Sequence, residues 1–110
     1  MKYLRIKKRK DFTKILQGGK RVYCGTLTVV YFPSDRIKMA VCVGKRYGKS
    51  VERNKIKRLL REAFRSFCPN IIPHSFLLMP KVSETYSYAA FRRDFEKILK
   101  REKLVEYEIN

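Results

Sequence analysis

Between Gly44 and Arg65 the chain reads GKRYGKSVERNKIKRLLREAFR, with nine Lys and Arg residues against Glu52 and Glu62 alone. A helix from about Val51 sorts this segment into two arcs. Ile56, Leu59, Leu60, Ala63, Phe64 and Phe67 recur at i, i+3, i+4 and i+7, so they share one face at 3.6 residues per turn. Asn54, Lys57, Arg58, Arg61 and Arg65 gather on a different arc. The first arc needs a core, and burying it presents the second to solvent as a cationic ridge of fixed geometry. Such a ridge can follow a phosphate backbone.

The 110 residues, 45% of them hydrophobic, suit one domain spanning 1–110 that builds its core without metal or disulfide staples. With 27 Lys and Arg against 10 Asp and Glu, the formal net charge of +17 repels itself in the compact state unless a polyanion neutralises it. Nucleic acid is the partner this implies. A membrane surface is set aside, because the basic residues lie opposite faces that serve a globular core and not an interfacial helix. No run approaches the roughly 18 apolar residues of a membrane span, and MKYLRIKKRK lacks the apolar centre of a secretory signal. The expected location is the cytoplasm. Cys24, Cys42 and Cys68 are odd in number and lack CxxC or Cys/His spacing, which reads as free, mostly buried thiols. His74, beside Pro73, has no sequence-near carboxylate or cysteine to make it a base or a ligand.

Phe12, Ile15 and Leu16 predict a first helix over about 9–17, ended at Gly18-Gly19 by a residue in the left-handed region. β-Branched and aromatic residues predict one strand from about Val22 to Phe32, a turn at Pro33-Ser34-Asp35, and a second strand over Ile37–Val43. These two are expected to pair as an antiparallel hairpin. Leu27, Val29 and Tyr31 share one face of the first strand; Thr26, Thr28, Val30 and Phe32 share the other, which is expected to be partly exposed. The basic helix follows, with Ser50 as its cap, and runs to about Phe67. SFLLM at 75–79 reads as a buried third strand, parallel to the second across the basic helix. A last helix, capped by Ser87, covers about Tyr88–Lys103. The order α-β-β-α-β-α describes a small α/β sandwich, one sheet carrying helices.

A run of charge is ordinarily a solvated helix face, but such faces mix signs. Here Glu62 can orient Arg58 as an i, i+4 pair, and a large unpaired excess remains. Clustered cations of this kind suit backbone binding, which gains from counterion release. Arginine at 53, 58, 61 and 65 adds a planar fork that bonds phosphate and stacks on exposed bases, a combination useful for RNA. Gly44 and Gly48 permit a tight turn just before the helix. A second cluster, Lys2 to Arg21, holds nine basic residues against Asp11 alone. Within it Phe12 is either core or a stacking platform for a single-stranded nucleotide, and the Thr28, Val30, Phe32 face shares that ambiguity. No paired carboxylates, Ser/His/Asp set, Cys/His pair or acidic metal cluster has a spacing that supports hydrolysis, so no catalytic residue is assigned.

The same residues carry a resemblance. GKRYGKSVERNKIKRLLREAFR is similar to the signature of the bacterial ribonuclease P protein subunit, with Arg53-Asn54-Lys55 at its centre, and the likeness extends to Asp11-Phe12, Gly19-Lys20-Arg21 and the last helix. The resemblance implies an α+β two-layer sandwich, like the second domain of a ribosomal protein, with a left-handed βαβ crossover where the general rule favours the right hand. It also implies a cofactor of a ribozyme, with chemistry belonging to the RNA and its Mg2+ ions. Lys45, Arg46, Arg53, Asn54, Lys55, Lys57, Arg58, Arg61 and Arg65 are then expected to meet the catalytic RNA, and Phe12, Val30 and Phe32 the 5′ leader of precursor tRNA. Three positions depart from the pattern: Leu16 stands where an aromatic is common, Lys55 where an arginine is usual, and Ser75 where an acidic residue often opens the third strand. The alternative reading is a structural RNA-binding ribosomal protein. A DNA regulator is disfavoured, because the helix is too uniformly cationic to read bases.

Overall fold

The computed structural model describes residues 3–106. Its elements are β1 (Leu4–Arg5), α1 (Arg9–Gly18), β2 (Lys20–Cys24), β3 (Leu27–Pro33), β4 (Lys38–Val41), α2 (Ser50–Arg65), β5 (His74–Pro80) and α3 (Tyr88–Arg101). The strands form one mixed sheet in the order β1-β4-β5-β3-β2. β3 runs antiparallel to both β2 and β5, whereas β4 runs parallel to both β5 and β1. The parallel β4-α2-β5 unit predicted from the order of elements is present.

Alternation along the strands splits the apolar residues between two faces. Val29, Met39, Phe76 and Leu78 point to the larger core, where Ile56, Leu60 and Phe64 of α2 and Phe91, Phe95, Ile98 and Leu99 of α3 cover them. Phe64 lies at its centre, fully buried, with the rings of Tyr3, Phe76 and Phe95 at 5.1, 5.4 and 5.5 Å. On the opposite face Val30 and Leu77 meet Ile6 and Ile15, so α1 covers only part of that side. Burial of the apolar arc of α2 leaves its basic arc outside, as the sequence requires. Ser87 caps α3 by accepting from the Ala90 N–H at 3.1 Å. Among the described residues no helix is long and apolar enough to cross a membrane.

Four expectations are corrected. The single strand over Val22–Phe32 is two strands, β2 and β3, joined by Gly25-Thr26, since Cys24 pairs with Leu27. The turn is fastened to α3: buried Asp94 accepts the Thr26 N–H and Oγ1–H, both at 2.8 Å, and the Cys24 thiol lies 3.8 Å away. Gly25 sits at φ +43°, and a Cβ there would collide with the Asp94 carboxylate. The hairpin expected between the strands on either side of Pro33 does not form. Instead β5 lies between β3 and β4, because its apolar run is buried on both faces and fits a central strand. Ser50 is the first residue of α2 and not its cap; the N-cap is Lys49, whose N–H donates to Glu52 Oε1 at 3.1 Å. Gly19, expected to be left-handed, is extended at φ −83°. β1 is an addition, a two-residue edge pairing too short to leave a pattern.

Candidate nucleic-acid interface

Lys45 and Arg46 lie in a single 3₁₀ turn, Lys45–Tyr47, anchored from below. Tyr47 is buried and its hydroxyl donates to the Pro80 carbonyl at 2.6 Å, while the Arg46 guanidinium rests 5.2 Å from the Tyr47 ring centroid. Gly48, at φ +120°, then turns the chain into α2. Along α2, Asn54, Lys55, Arg58 and Arg65 are exposed and Arg53, Lys57 and Arg61 half-buried. Arg58 Nε lies 3.6 Å from Glu62, the predicted i, i+4 pair. Arg53 donates to Ser50 Oγ at 3.3 Å, and its Nε is buried without a hydrogen-bond partner. Arg61 is crowded: burial, then the charges of Arg5 and Arg65, hold its guanidinium below the ordinary value. An anion placed there relieves that crowding.

Phe12 does not lie apart from this ridge. Its ring lines a groove of about 340 Å³ with Arg5, Lys7, Ala40, Val41, Lys57 and Arg61, and no carboxylate lines it. α1 presents an aromatic ring to this space, α2 two cations, and β1 with the segment after it two more. The other two residues expected beside Phe12 are placed differently. Val30 is 1% exposed beneath α1 and offers no surface. Phe32 is half-buried on the other flank of α1, with Lys14 Nζ 5.5 Å from its ring and Asp11 and Ser75 along the same groove. Gly18 closes α1 onto it; a Cβ there would meet the Phe32 ring at 2.9 Å.

Two carboxylates, Glu102 and Asp94, are engaged elsewhere. Glu102 joins the end of α3 to the sheet, accepting from Tyr31 at 2.6 Å and pairing with Lys20 at 2.7 Å. Those partners hold its carboxyl below the usual range, and burial with the Glu102 hydrogen bond pushes Tyr31 up to about 12. For Asp94 desolvation pulls upward, but the hydrogen bonds from Thr26 and Arg93 outweigh it and keep the carboxyl low. Among the described residues no group of three or more His, Cys, Asp or Glu side chains could hold a metal ion. Ser75 is buried and supplies no carboxylate, so the donors present do not fit a protein-held magnesium site. His74, with Tyr31 and Phe76 rings at 5.6 and 6.1 Å, packs against the sheet. The three cysteines are free thiols, and burial raises that of Cys42.

The basic ridge and the aromatic groove thus meet on a molecule that turns Asp94 and Glu102 to internal ties. The family model described as Ribonuclease P matches residues 1–103. The chain belongs to the ribonuclease P protein family. A ribonuclease P protein component from Dictyoglomus turgidum is 34% identical over 99 residues, covering 87% of this chain and 83% of its own. One from Lactococcus lactis subsp. cremoris is 31% identical over 107 residues, covering 94% and 91%. The solved ribonuclease P protein of Staphylococcus aureus superposes with a TM-score of 0.79 at 26% identity, covering all of this chain and 97% of that one. That of Thermotoga maritima gives 0.75 at 27% identity over 88% and 96%. These likenesses span the ridge and α1 together, so family membership extends to both surfaces. Sequence reasoning missed Arg5 and Lys7 as neighbours of Arg61, because only the pairing of β1 with β4 carries them there.

Proposed function

We propose that this chain is the protein cofactor of ribonuclease P, acting in the cytoplasm to promote endonucleolytic removal of the 5′ leader from precursor tRNA. The α2 ridge with Lys45 and Arg46 binds the catalytic RNA, and the surface around Phe12 holds the single-stranded leader. The observation that carries this reading is the shared groove, in which Phe12 faces Lys57 and Arg61 with no carboxylate between them. A strand leaving the ridge passes directly onto an aromatic ring, where a base can stack. Of the remaining leader residues, Phe32 offers a second ring beyond α1, and Val30 acts from below by holding α1 in place. Catalysis is assigned to the RNA subunit with the magnesium ions it binds.

The test is cleavage of a 5′-labelled precursor tRNA by a bacterial ribonuclease P RNA at low magnesium, with and without this protein, beside the protein alone. Cleavage that depends on both components, with a benefit that fades as magnesium rises, supports the cofactor role. Tight RNA binding without stimulation moves the reading to a structural ribosomal protein.

A further inference from the structure

Tyr86 and Tyr88 stand two residues apart and are used differently. Tyr86 turns inward: its ring lies 6.1 Å from that of Phe91, and its hydroxyl oxygen accepts the Ser83 N–H at 2.9 Å. Tyr88, the first residue of α3, is 38% exposed, and among the described residues no ring or cation stacks on it. Its backbone is nevertheless fixed, because the preceding Ser87 caps the helix on the Ala90 N–H. The fold holds this ring in place and leaves part of it uncovered.

Its neighbours come from the end of the basic ridge. Tyr88 shares a groove of about 310 Å³ with Glu62, Arg65 and Ser66 at the C-terminal end of α2. Arg65 is exposed and continues the arc of Arg58 and Arg61, so the ridge runs onto the ring. Arg92, one turn along α3 on the face of Tyr88, holds its guanidinium 4.5 Å from the Phe67 ring centroid and sets a second fork near the same junction. The groove also offers an acceptor, the Glu62 carboxylate, 3.6 Å from Arg58. A phosphate alone would gain nothing from the ring and would be repelled by Glu62. A nucleotide uses all three groups, since its base has a π face, an amino edge suits a carboxylate, and its phosphate suits arginine.

We infer that this junction of α2 and α3 is a subsite for one unstacked nucleotide of the catalytic RNA. The base lies on Tyr88, an amino group of that base donates to Glu62, and its phosphate meets Arg65. This rests on the reading of the α2 ridge as the surface for the catalytic RNA and adds a contact of another kind. Phosphate contacts along α2 carry no base identity, whereas this groove distinguishes an amino-bearing base from uracil, whose O4 is an acceptor. α2 and α3 cover one face of the sheet and α1 the other, so the subsite is separate from the surface assigned to the leader.

The experiment measures binding of the full chain to a bacterial ribonuclease P RNA over a range of salt, with urea unfolding beside it. Wild type is compared with Tyr88→Phe, Tyr88→Leu, Tyr88→Ala and Arg65→Met. Tyr88→Phe should bind as wild type does. Tyr88→Leu and Tyr88→Ala should bind about fivefold or more weakly, the value of one stacked base, with the slope of log K against log salt unchanged. Arg65→Met should make that slope shallower by about 0.7–0.9. In the complex, Tyr88→p-benzoylphenylalanine should cross-link to one unpaired, amino-bearing nucleotide of the RNA. Wild-type affinity in Tyr88→Leu, or a cross-link only to a uridine, to paired RNA or to a second copy of the protein, overturns the subsite while the ridge reading stands. If wild type itself does not bind the catalytic RNA, the ridge reading fails and the subsite fails with it.

Discussion

Replacing Arg61 with methionine removes a charge while keeping most of the bulk, and the structure gives that change two opposite signs. In the free protein Arg61 is disfavoured by burial and by Arg5 and Arg65, so the fold holds its proton less firmly than the unfolded chain does. A cation in that condition weakens the folded state at neutral pH, and Arg61→Met should raise the urea midpoint or leave it unchanged. On RNA the same change should weaken binding about tenfold, because a charge-assisted contact is lost. The ridge and the 3₁₀ turn before it carry eight cations, Lys45, Arg46, Arg53, Lys55, Lys57, Arg58, Arg61 and Arg65. If all eight met phosphate, the slope of log K against log salt would be about −6 to −7, and each lost contact would make it shallower by about 0.7–0.9. Between 50 and 200 mM salt, that difference is about threefold in affinity. Arg58→Ala should cost less, since Glu62 already engages part of its charge. Filter binding to the catalytic RNA across that salt range, beside urea unfolding of the free protein, reads both signs. A slope identical to wild type, or a Met variant that is less stable than wild type, would refute the reasoning.

Phe12→Ala should chiefly weaken binding of leader-bearing substrate; equal losses for mature and precursor tRNA would sink its assignment to the leader. Asp94→Asn should destabilise the fold by about 2–3 kcal/mol, because buried acceptors for Thr26 lose their charge, and the thermal midpoint should fall by about 10 °C or more. Asp94 and Glu102 are both held below the usual carboxyl range, so their stabilisation is complete above about pH 5 and is lost as pH falls through their folded-state values. Urea midpoints taken down into acid should show that limb in wild type and a flatter one in Asp94→Asn. Phe64→Ala, at the meeting point of three other rings, should cost about 3–5 kcal/mol, enough to populate the unfolded state of a small domain by circular dichroism.

The helices were legible because their apolar stripes are periodic and their ends carry local signals. Ile56, Leu60 and Phe64 announce α2, and Ser87 caps α3 as its position suggests. Of the strand neighbours, the parallel pairing of β5 with β4 followed from the order of elements, but nothing local to β3 says that β5 will lie between it and β4. The β2–β3 turn was hidden for a related reason: its sequence marks are Gly25 and Thr26 inside an otherwise strand-forming run, and the residue that fixes it, Asp94, lies 68 positions away from Thr26. The site divides along the same line. The ridge sits on one helix and could be read from its own spacing, whereas the groove collects Arg5, Phe12 and Arg61 from separate elements. Lys2 of the N-terminal basic cluster lies outside the described residues.

The two sides of the aromatic groove are unequally secured. The sheet beneath it is bolted to α3 through Asp94 and Glu102, whereas α1, the wall, buries only Ile15 fully along its ten residues. The width of the groove therefore depends on how α1 is seated, and a change at Ile15 would shift that wall while leaving the floor in place.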